Sequence, residues 1–598
     1  MRDDGDMTEP MNIMLLSALA KRNGRPWRTE LAILERDDIV DAARRTRASV
    51  VAMSAITGSH AALLAANDRL KRAIPSVKTV IGGPFATFHP RTIIERPFDA
   101  LGVGECDDAW PELLDAWAAG RSIDGIPNIV TPGNVDRVLR RSLANASSWT
   151  IHPDHLRPRR TALDELPYLD RDLVYAKTAF LTRYKRTIMA GRGCPFRCTY
   201  CFEHAWNAMY KGKGRLLQRH SVLRLCEELA DLKARWDTRF IKFYDDVFPV
   251  FSPVDDTWLD EFAEMYPRLV GLPFHCLIRA EQASERTLRL LKQAGIASLT
   301  MSIESGNAFI RDYILRRDMS GEELRRAFEL ARIMRIPTFA NTILAIPAPT
   351  RPALDDPDFD GAVDRILKIA DGVDLRRTGG KCRHLSSVIA EIRAHEADPH
   401  PAIRRALGAA GVRDRLIEYD RESVLANVDL GVSFGEFPVF FPYEGTQLGA
   451  YAVEHGFFDG DYDRLHASYQ TRSPLSYFSD ADKRTQQNLA LLGTAILEFS
   501  GSFNTLLRLC AGPIAVFAVY VFAPLPFTSL YLRLYSVAKN DMHARRIYPM
   551  ALTAGERVRS LWENLALDVF KQVGRRGASL FRFRSERPGQ TLGGPPSV

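Results

Sequence analysis

Short apolar runs alternate with amphipathic stretches along the first 120 residues of the chain. MNIMLLSAL from Met11 and TELAILE from Thr29 predict two strands, and SVVAMSA from Ser49, KTVIGG from Lys78 and DALGVGE from Asp99 predict three more. Between and after them, DDIVDAARRTRA, HAALLAANDRLKRAI and DDAWPELLDAWAAG carry apolar residues at helical spacing. Alternation at this spacing predicts a parallel sheet covered on both faces. Only about eight residues, Lys21 to Arg28, separate the first two predicted strands, too few for a parallel crossover with its helix. The expectation is therefore a truncated Rossmann-like domain over residues 11–120, behind a polar leader of residues 1–10. In such sheets ligands bind beyond the carboxyl ends of the strands. Those ends hold small or turn-forming residues: Ser54, Ile56 and Thr57, then Gly82, Gly83 and Pro84, then Gly104 and Glu105.

Residues 121–180 are rich in Pro, Asn, Asp and Arg and read as an irregular linker. A second alternating series follows, with strands in KRTIMAGRG, RFIKFYDD, FHCLIRA, SLTMSIES, TFANTILAI and GVSFGEFPVFFPY. Six strand–helix repeats predict a partial (β/α)6 barrel over residues 181–475, with chemistry at the carboxyl ends of its strands. A charged stretch at about 351–419 is far longer than an ordinary connection and reads as a helical insertion, a candidate lid. Residues 476–570 read as a helical C-terminal region, and 571–598 as a basic, Gly/Pro-rich disordered tail.

The charge balance, 80 Lys+Arg against 73 Asp+Glu, is mild for 598 residues, so no nucleic-acid partner is expected. Eight cysteines are too sparse for a disulfide scaffold, and the acidic start lacks a secretory signal pattern, so a cytoplasmic location is expected. Within the C-terminal region, residues 509–532 carry no charge between Arg508 and Arg533 and are long enough to span a bilayer. Pro513, Pro524 and Pro526 break the run, which favours an element seated in a membrane interface over a spanning helix or a channel wall. Basic, aromatic Phe581–Arg584 would add attraction to anionic lipid on the cytoplasmic face.

Three of the eight cysteines lie within eight residues, as Cys194-x3-Cys198-x2-Cys201. Iron–sulfur clusters and zinc are the two sinks for clustered thiolates. A structural zinc site wants four ligands, commonly two C-x2-C knuckles, and no second knuckle exists; His204 alone makes a weak fourth ligand. Three thiolates on a four-iron cluster leave one iron open at the barrel mouth, where it can bind a cofactor or substrate.

The motif Cys194-x3-Cys198-x-Tyr200-Cys201 after a strand resembles the signature of radical S-adenosylmethionine (SAM) enzymes. Tyr244-Asp245-Asp246, Arg279-Ala280, Ser302-Ile303-Glu304-Ser305-Gly306, Ala345-Ile346-Pro347 and Pro442–Thr446 end the following strands and are similar to segments of the cobalamin-binding branch of that superfamily. Ser54-Ala55-Ile56 with Gly82-Gly83 downstream resembles the S-x-L…G-G elements of cobalamin-binding domains, and Gly104-Glu105 also matches the branch. The D-x-H-x-x-G element that supplies a lower axial histidine is absent, which implies a histidine-free lower face. Lone histidines such as His60 and His89 read as structural rather than as cobalt ligands.

The resemblance implies a [4Fe-4S] cluster on Cys194, Cys198 and Cys201. It implies SAM contacts from Tyr200, Asp245, Arg279, Glu304 and Ser305, and cobalamin contacts from Ser54, Ile56, Thr57, Gly82, Gly83, Pro84, Gly104 and Glu105. The implied activity is reductive cleavage of SAM to a 5′-deoxyadenosyl radical and methyl transfer to an unactivated carbon. Flavodoxin or ferredoxin would be the electron donor. The apolar C-terminal run adds the expectation of a lipid-linked small molecule as substrate. Cyclisation, rearrangement or oxidation without methyl transfer is the alternative chemistry, and a non-catalytic iron–sulfur protein is the alternative class.

Overall fold

The computed structural model describes residues 9–22, 27–141, 149–249, 257–371, 385–465, 472–502, 512–559 and 561–562. Val50–Ser54 (β1), Lys78–Gly82 (β2) and Ala100–Gly102 (β3) pair in parallel, with Ser54 beside Gly82 and Val80 beside Ala100. Apolar side chains fill both faces. Leu63, Leu64 and Leu70 of helix His60–Ala73 pack with Met53 and Ile81 on one side, while Leu113 and Ala116 of helix Ala109–Ala118 pack with Val80 and Ala100 on the other.

Two expectations at the N-terminus fail. Met11–Lys21 is a helix, not a strand. A short continuous apolar run does not separate the two by periodicity, and this helix is covered from several sides. It contacts helices Ala109–Ala118 and Arg171–Tyr175, and Trp110 Nε1 donates to Leu16 O at 2.9 Å. Thr29–Ile33 is irregular and pairs with no strand, and residues 34–36 form a turn closed by the Arg36 N–H on Ile33 O at 2.9 Å; Leu31 and Ile33 pack with Val174, Tyr175 and Phe180. The sheet thus lacks early strands rather than the first helix. Residues 121–180 are also more than a linker. Ile129–Val130 (β4) joins β3 as an antiparallel edge, and the Asn128 N–H donates to His155 O at 2.7 Å.

The six later strands form where the apolar runs predict them: Lys185–Ile188 (β5), Phe240–Phe243 (β6), Phe274–Leu277 (β7), Ile296–Thr300 (β8), Thr338–Asn341 (β9) and Phe434–Glu436 (β10). They are parallel and adjacent in chain order from β5 to β10. The insertion is helical over Phe359–Asp371, Leu385–His395 and Pro399–Ala409. Helix Leu416–Asp429, which follows, is tied to the barrel: Asp420 accepts the Ala345 N–H at 2.8 Å and a Gln486 Nε2 proton at 3.0 Å.

Helices Asp480–Ser502 and Thr528–Met542 pack on each other, and the first also packs on β10. Beyond them Tyr548 enters the barrel floor, its ring 4.3 Å from Lys185 Nζ and 5.4 Å from the His275 ring. Among the described residues no helix is long and apolar enough to cross a membrane. Residues 509–511 of the apolar run, Arg508 and the basic tail lie outside the described residues.

Candidate active site

The cysteine loop leaves β5 at the carboxyl end of the barrel. Backbone N–H groups of Ala190 and Gly191 donate to Asp245 at 3.2 and 2.6 Å, so the end of β6 holds the entry to the loop. Thr199 fastens the far side, its N–H donating to Leu315 O at 3.1 Å and its hydroxyl to Ile314 O at 2.6 Å. Asn207 of helix Glu203–Met209 donates to Cys194 O at 2.8 Å. His204 Nδ1 sits 2.7 Å from Cys201 O, so its ring is engaged with the loop backbone. Burial pushes the Cys194 thiol up to about 12 and raises that of Cys201 well above its ordinary range.

Beside the loop, the Tyr200 hydroxyl donates to Glu304 Oε1 at 2.9 Å and accepts from Arg317 Nη1 at 3.1 Å. Glu304 has φ 62° and is 7% exposed; burial raises its pKa, against the pull of Arg317. Arg317 was not among the expected residues, and nothing in its local sequence marks it. Arg279 is spoken for: it bonds Glu281 and Arg317 O, lies 3.6 Å from Cys198 Sγ and 3.6 Å above the Phe196 ring. Ser305 turns to Ser423 at 3.1 Å and accepts the Asn307 N–H, so its side chain belongs to the packing of helix Leu416–Asp429. A cavity of about 540 Å³ opens in the barrel lumen between Tyr200, Asp246, Asn341, Ile343, Glu436 and Tyr443.

A second cavity, of about 460 Å³, lies between the carboxyl ends of β1–β3 and the cysteine loop. Ser54, Gly82, Gly83, Pro84, Gly104 and Glu105 line it, as do Met11 and Asn12 of the N-terminal helix. Ile56 and Thr57 do not line it. The chain turns outward after Ala55, whose N–H is held by Gly82 O at 2.9 Å, and leaves Ile56 54% exposed. Asn12 Nδ2 donates to Ser54 Oγ at 2.6 Å. Two glycines keep the cavity wall thin. A Cβ on Gly83 (φ 91°) would meet Ala55 O at 2.8 Å, and one on Gly104 (φ 71°) would meet the Tyr210 hydroxyl at 2.3 Å. His60 and His89 stack on opposite faces of Phe85 and pair with Asp463 and Glu444, away from this cavity.

An acidic junction separates the two spaces. Glu105 Oε1 accepts from Arg159 Nε at 2.9 Å, and Glu203 lies close enough to Asp246 for burial and that charge to push its carboxyl up to about 8. Among the described residues, Asp246 is the one that lines both cavities.

The sequence matches the B12 binding domain family over residues 5–114 and the Radical SAM superfamily over residues 188–355. The chain joins a B12 binding domain to a radical SAM domain. This B12-binding radical SAM chain is 24% identical over 322 residues to an uncharacterized methyltransferase of Pyrococcus horikoshii, across 52% of this chain and 64% of that protein. It is 24% identical over 343 residues to cytidylyl-2-hydroxyethylphosphonate methyltransferase of Streptomyces wedmorensis, across 52% of this chain and 61% of the relative. The chain thus spans less than two thirds of the length of these curated relatives. Two solved structures of the radical S-adenosylmethionine methyltransferase TsrM from Kitasatospora setae are similar. The one with tryptophan substrate and a SAM analogue has TM-score 0.48 and 15% identity, covering 75% of this chain and 73% of that one. The one with cobalamin and a [4Fe-4S] cluster has TM-score 0.49 and 16% identity, covering 75% and 72%.

Cobalamin, a [4Fe-4S] cluster and SAM are the cofactors of the two domains. The residues present fit them. Burial raises the thiols of Cys194 and Cys201, and thiolates clustered this closely stay ionised together against bound cationic metal. Among the described residues no group of three or more His, Cys, Asp or Glu converges on a single metal-ion position. In a four-iron cluster each thiolate meets a different iron. On the other side, the glycine-walled cavity at the strand ends suits a broad, flat ligand that must approach backbone.

Proposed function

We propose that this protein is a cobalamin-dependent radical SAM methyltransferase acting on an unactivated carbon of a small molecule. The observation that carries the reading is the pair of cavities, one in the barrel lumen beside the cysteine loop and one at the strand ends, meeting at Asp246. When bound, the cluster and SAM supply the one-electron chemistry that opens a C–H bond, and cobalamin supplies the methyl group. Cys194, Cys198 and Cys201 hold the cluster. Tyr200 and Glu304, kept in place by Arg317, serve the SAM pocket, where the acceptor capacity of Glu304 beyond its bond from Tyr200 would meet SAM hydroxyl or amino groups. Asp245 and Arg279 act at one remove, by fixing the loop and by setting a guanidinium against Cys198. Ser54, Gly82, Gly83, Pro84, Gly104 and Glu105 form the cobalamin wall. The protein's work is positioning and water exclusion. Flavodoxin or ferredoxin is the expected electron donor.

Anaerobic reconstitution with iron, sulfide, hydroxocobalamin and SAM under strong reductant tests the reading. Formation of 5′-deoxyadenosine together with a methylated product supports it. 5′-Deoxyadenosine without methylation moves the protein to other radical chemistry, and absence of both removes the proposal.

A second observation bears on where the substrate is met. Phe517, Tyr520, Val521, Phe522, Phe527 and Leu530 are each 42–55% exposed around the bend at Ala523–Phe527. Arg421 lies 4.5 Å from the Tyr520 ring and Arg533 is exposed nearby in sequence. Aromatic apolar surface flanked by arginine suits the interface of an anionic membrane on its cytoplasmic face, and a lipid-linked substrate delivered there. Flotation with phosphatidylglycerol vesicles should carry the wild-type protein, and Phe517→Ser/Phe522→Ser should lower the bound fraction several-fold. Equal flotation of both removes the membrane reading.

A further inference from the structure

We infer that the outer face of the cysteine loop is the landing place of an acidic, flavodoxin-type electron-donor protein, drawn there by Arg197, Lys211, Lys213, Arg215 and Arg316. The inference rests on the function proposed above and deepens it by naming the surface through which the cluster receives its electron.

Between Cys194 and Leu217 the chain carries four cations, Arg197, Lys211, Lys213 and Arg215, against one carboxylate, Glu203, which is buried. The whole chain is close to balanced, so this excess is local. Arg197 lies between Cys194 and Cys198 and is exposed, whereas its neighbour Phe196 turns under the Arg279 guanidinium. Lys211 and Arg215 are exposed, and Lys213 half-buried, on the loop after helix Glu203–Met209. That loop is fastened beside the start of the cysteine loop. Arg159 donates from its backbone N–H to Lys213 O at 2.6 Å and from Nη1 to Leu216 O at 2.7 Å, and Gly193 (φ 95°) leaves no room for a Cβ against Leu216 O. Arg316 comes from another element. It is exposed and follows Leu315, whose carbonyl accepts the Thr199 N–H at 3.1 Å. None of the five cations is paired with a carboxylate among the described residues.

Charge and place together name the partner. Electron transfer falls off steeply with distance, so a protein donor must sit against the chain where the cysteines come nearest the surface. Both cavities reach the loop, one at Gly193 and Glu203 and the other at Tyr200, and in the proposed function they are taken by cobalamin, SAM and substrate. The side that carries exposed Pro195 and Arg197 is left for the donor. Exposed cations without counter-charges attract an acidic surface and speed its encounter. Pro195 and Leu216, the latter 38% exposed, add apolar atoms among the charges, the make-up of a small, transient interface. An anionic membrane would feel the same charges, but the exposed aromatic surface suited to one lies in the C-terminal region, at Phe517–Leu530. The step served is a single electron: the donor is oxidised by one, the cluster is reduced by one, and no bond is made or broken.

The test uses the full chain reconstituted with cluster, hydroxocobalamin and SAM, and reads 5′-deoxyadenosine formed with two reductants. Reduced methyl viologen is a small cation that needs no docking surface; a reduced acidic flavodoxin needs one. In the wild-type protein the flavodoxin-driven rate should fall several-fold as salt rises from about 50 to about 300 mM, while the viologen-driven rate does not follow it. Lys211→Glu/Arg215→Glu should raise the flavodoxin concentration for half-maximal rate at least about tenfold, with iron content intact and the viologen-driven rate within about twofold of wild type. Arg215→Lys should restore most of the difference to Lys211→Gln. Should the double reversal lose iron, the single neutralisations Lys211→Gln and Arg316→Gln carry the same reading, each with a rise of about threefold. Unchanged flavodoxin saturation in variants that keep their iron overturns the inference. So does unchanged saturation with lowered flotation on phosphatidylglycerol vesicles, which gives the patch to lipid. Absence of viologen-driven 5′-deoxyadenosine in the wild-type protein counts against the function proposed above instead, whatever the patch does.

Discussion

The Glu105 backbone N–H donates to the Tyr210 hydroxyl at 2.7 Å, joining the third strand end of the N-terminal sheet to the helix that follows the cysteine loop. Asn128 Nδ2 reaches the same hydroxyl at 3.4 Å, and Arg159 lies 5.7 Å from the ring. One phenol thus ties the end of the third strand and Asn128 to the helix beside the cysteine loop.

Gly104 makes that contact sterically obligatory. Gly104→Ala places a Cβ at 2.3 Å from the Tyr210 oxygen on a backbone with φ 71°, and should destabilise the protein by about 2 kcal/mol. Tyr210→Phe alone should cost about 1 kcal/mol through the lost acceptor. In Gly104→Ala/Tyr210→Phe the shortest contact is removed while the ring carbon at 3.0 Å remains, so the double change should cost less than the sum. Denaturant midpoints with and without hydroxocobalamin read both effects.

Serine at Cys194, Cys198 or Cys201 should each abolish most bound iron, because an alcohol does not ionise to replace a thiolate. Cys226→Ala, in the buried face of helix Val222–Arg235, should leave iron content unchanged at a modest cost in stability. Iron assay and the cluster absorbance band decide it; iron retained in any of the three serine variants contradicts the ligand set.

Arg317→Met leaves Glu304 buried beside Tyr200 without its cation, at a cost of about 3 kcal/mol, and should weaken SAM binding in parallel. Arg317→Met/Glu304→Gln should recover much of the stability but not the SAM affinity. Thermal melts and equilibrium dialysis with SAM separate the two.

Asp420 sets a pH dependence. Burial raises its carboxyl to about 7, against two hydrogen bonds from Ala345 N–H and Gln486. The folded protein therefore keeps this proton up to about pH 7, whereas the unfolded chain releases it near pH 4. Between those values the folded state binds more protons, so stability falls as pH rises. In Asp420→Asn that slope should vanish, since the amide still accepts from Ala345 and Gln486 Oε1, which lacks a partner, is available to it. Its advantage over wild type should grow from pH 4 to pH 7 and then level off. A constant difference across that range would assign the pH dependence to other groups.

Much was legible in the chain before folding. The six barrel strands lie where their apolar runs put them, because strands buried in a parallel sheet need continuous apolar sequence that little else explains. The cysteine spacing is local chemistry, readable without knowing the fold. Ser54, Gly82, Gly83, Pro84, Gly104 and Glu105 come together because strand ends of one parallel sheet must share an edge.

Tertiary structure decided the remainder. Met11–Lys21 and Thr29–Glu35 have sequences compatible with strands, but a strand exists only where a neighbour supplies its ladder, and none does. Arg317 reaches Tyr200 across 117 positions, and Tyr210 reaches Glu105 across 105, separations at which no local pattern signals a contact. The difference between Asp245, tied to backbone, and Asp246, turned to the cavities, is one of side-chain direction. Adjacent residues of the same type are alike in sequence, and only the packing around a strand end distinguishes the one bonded to backbone from the one exposed to the cavities.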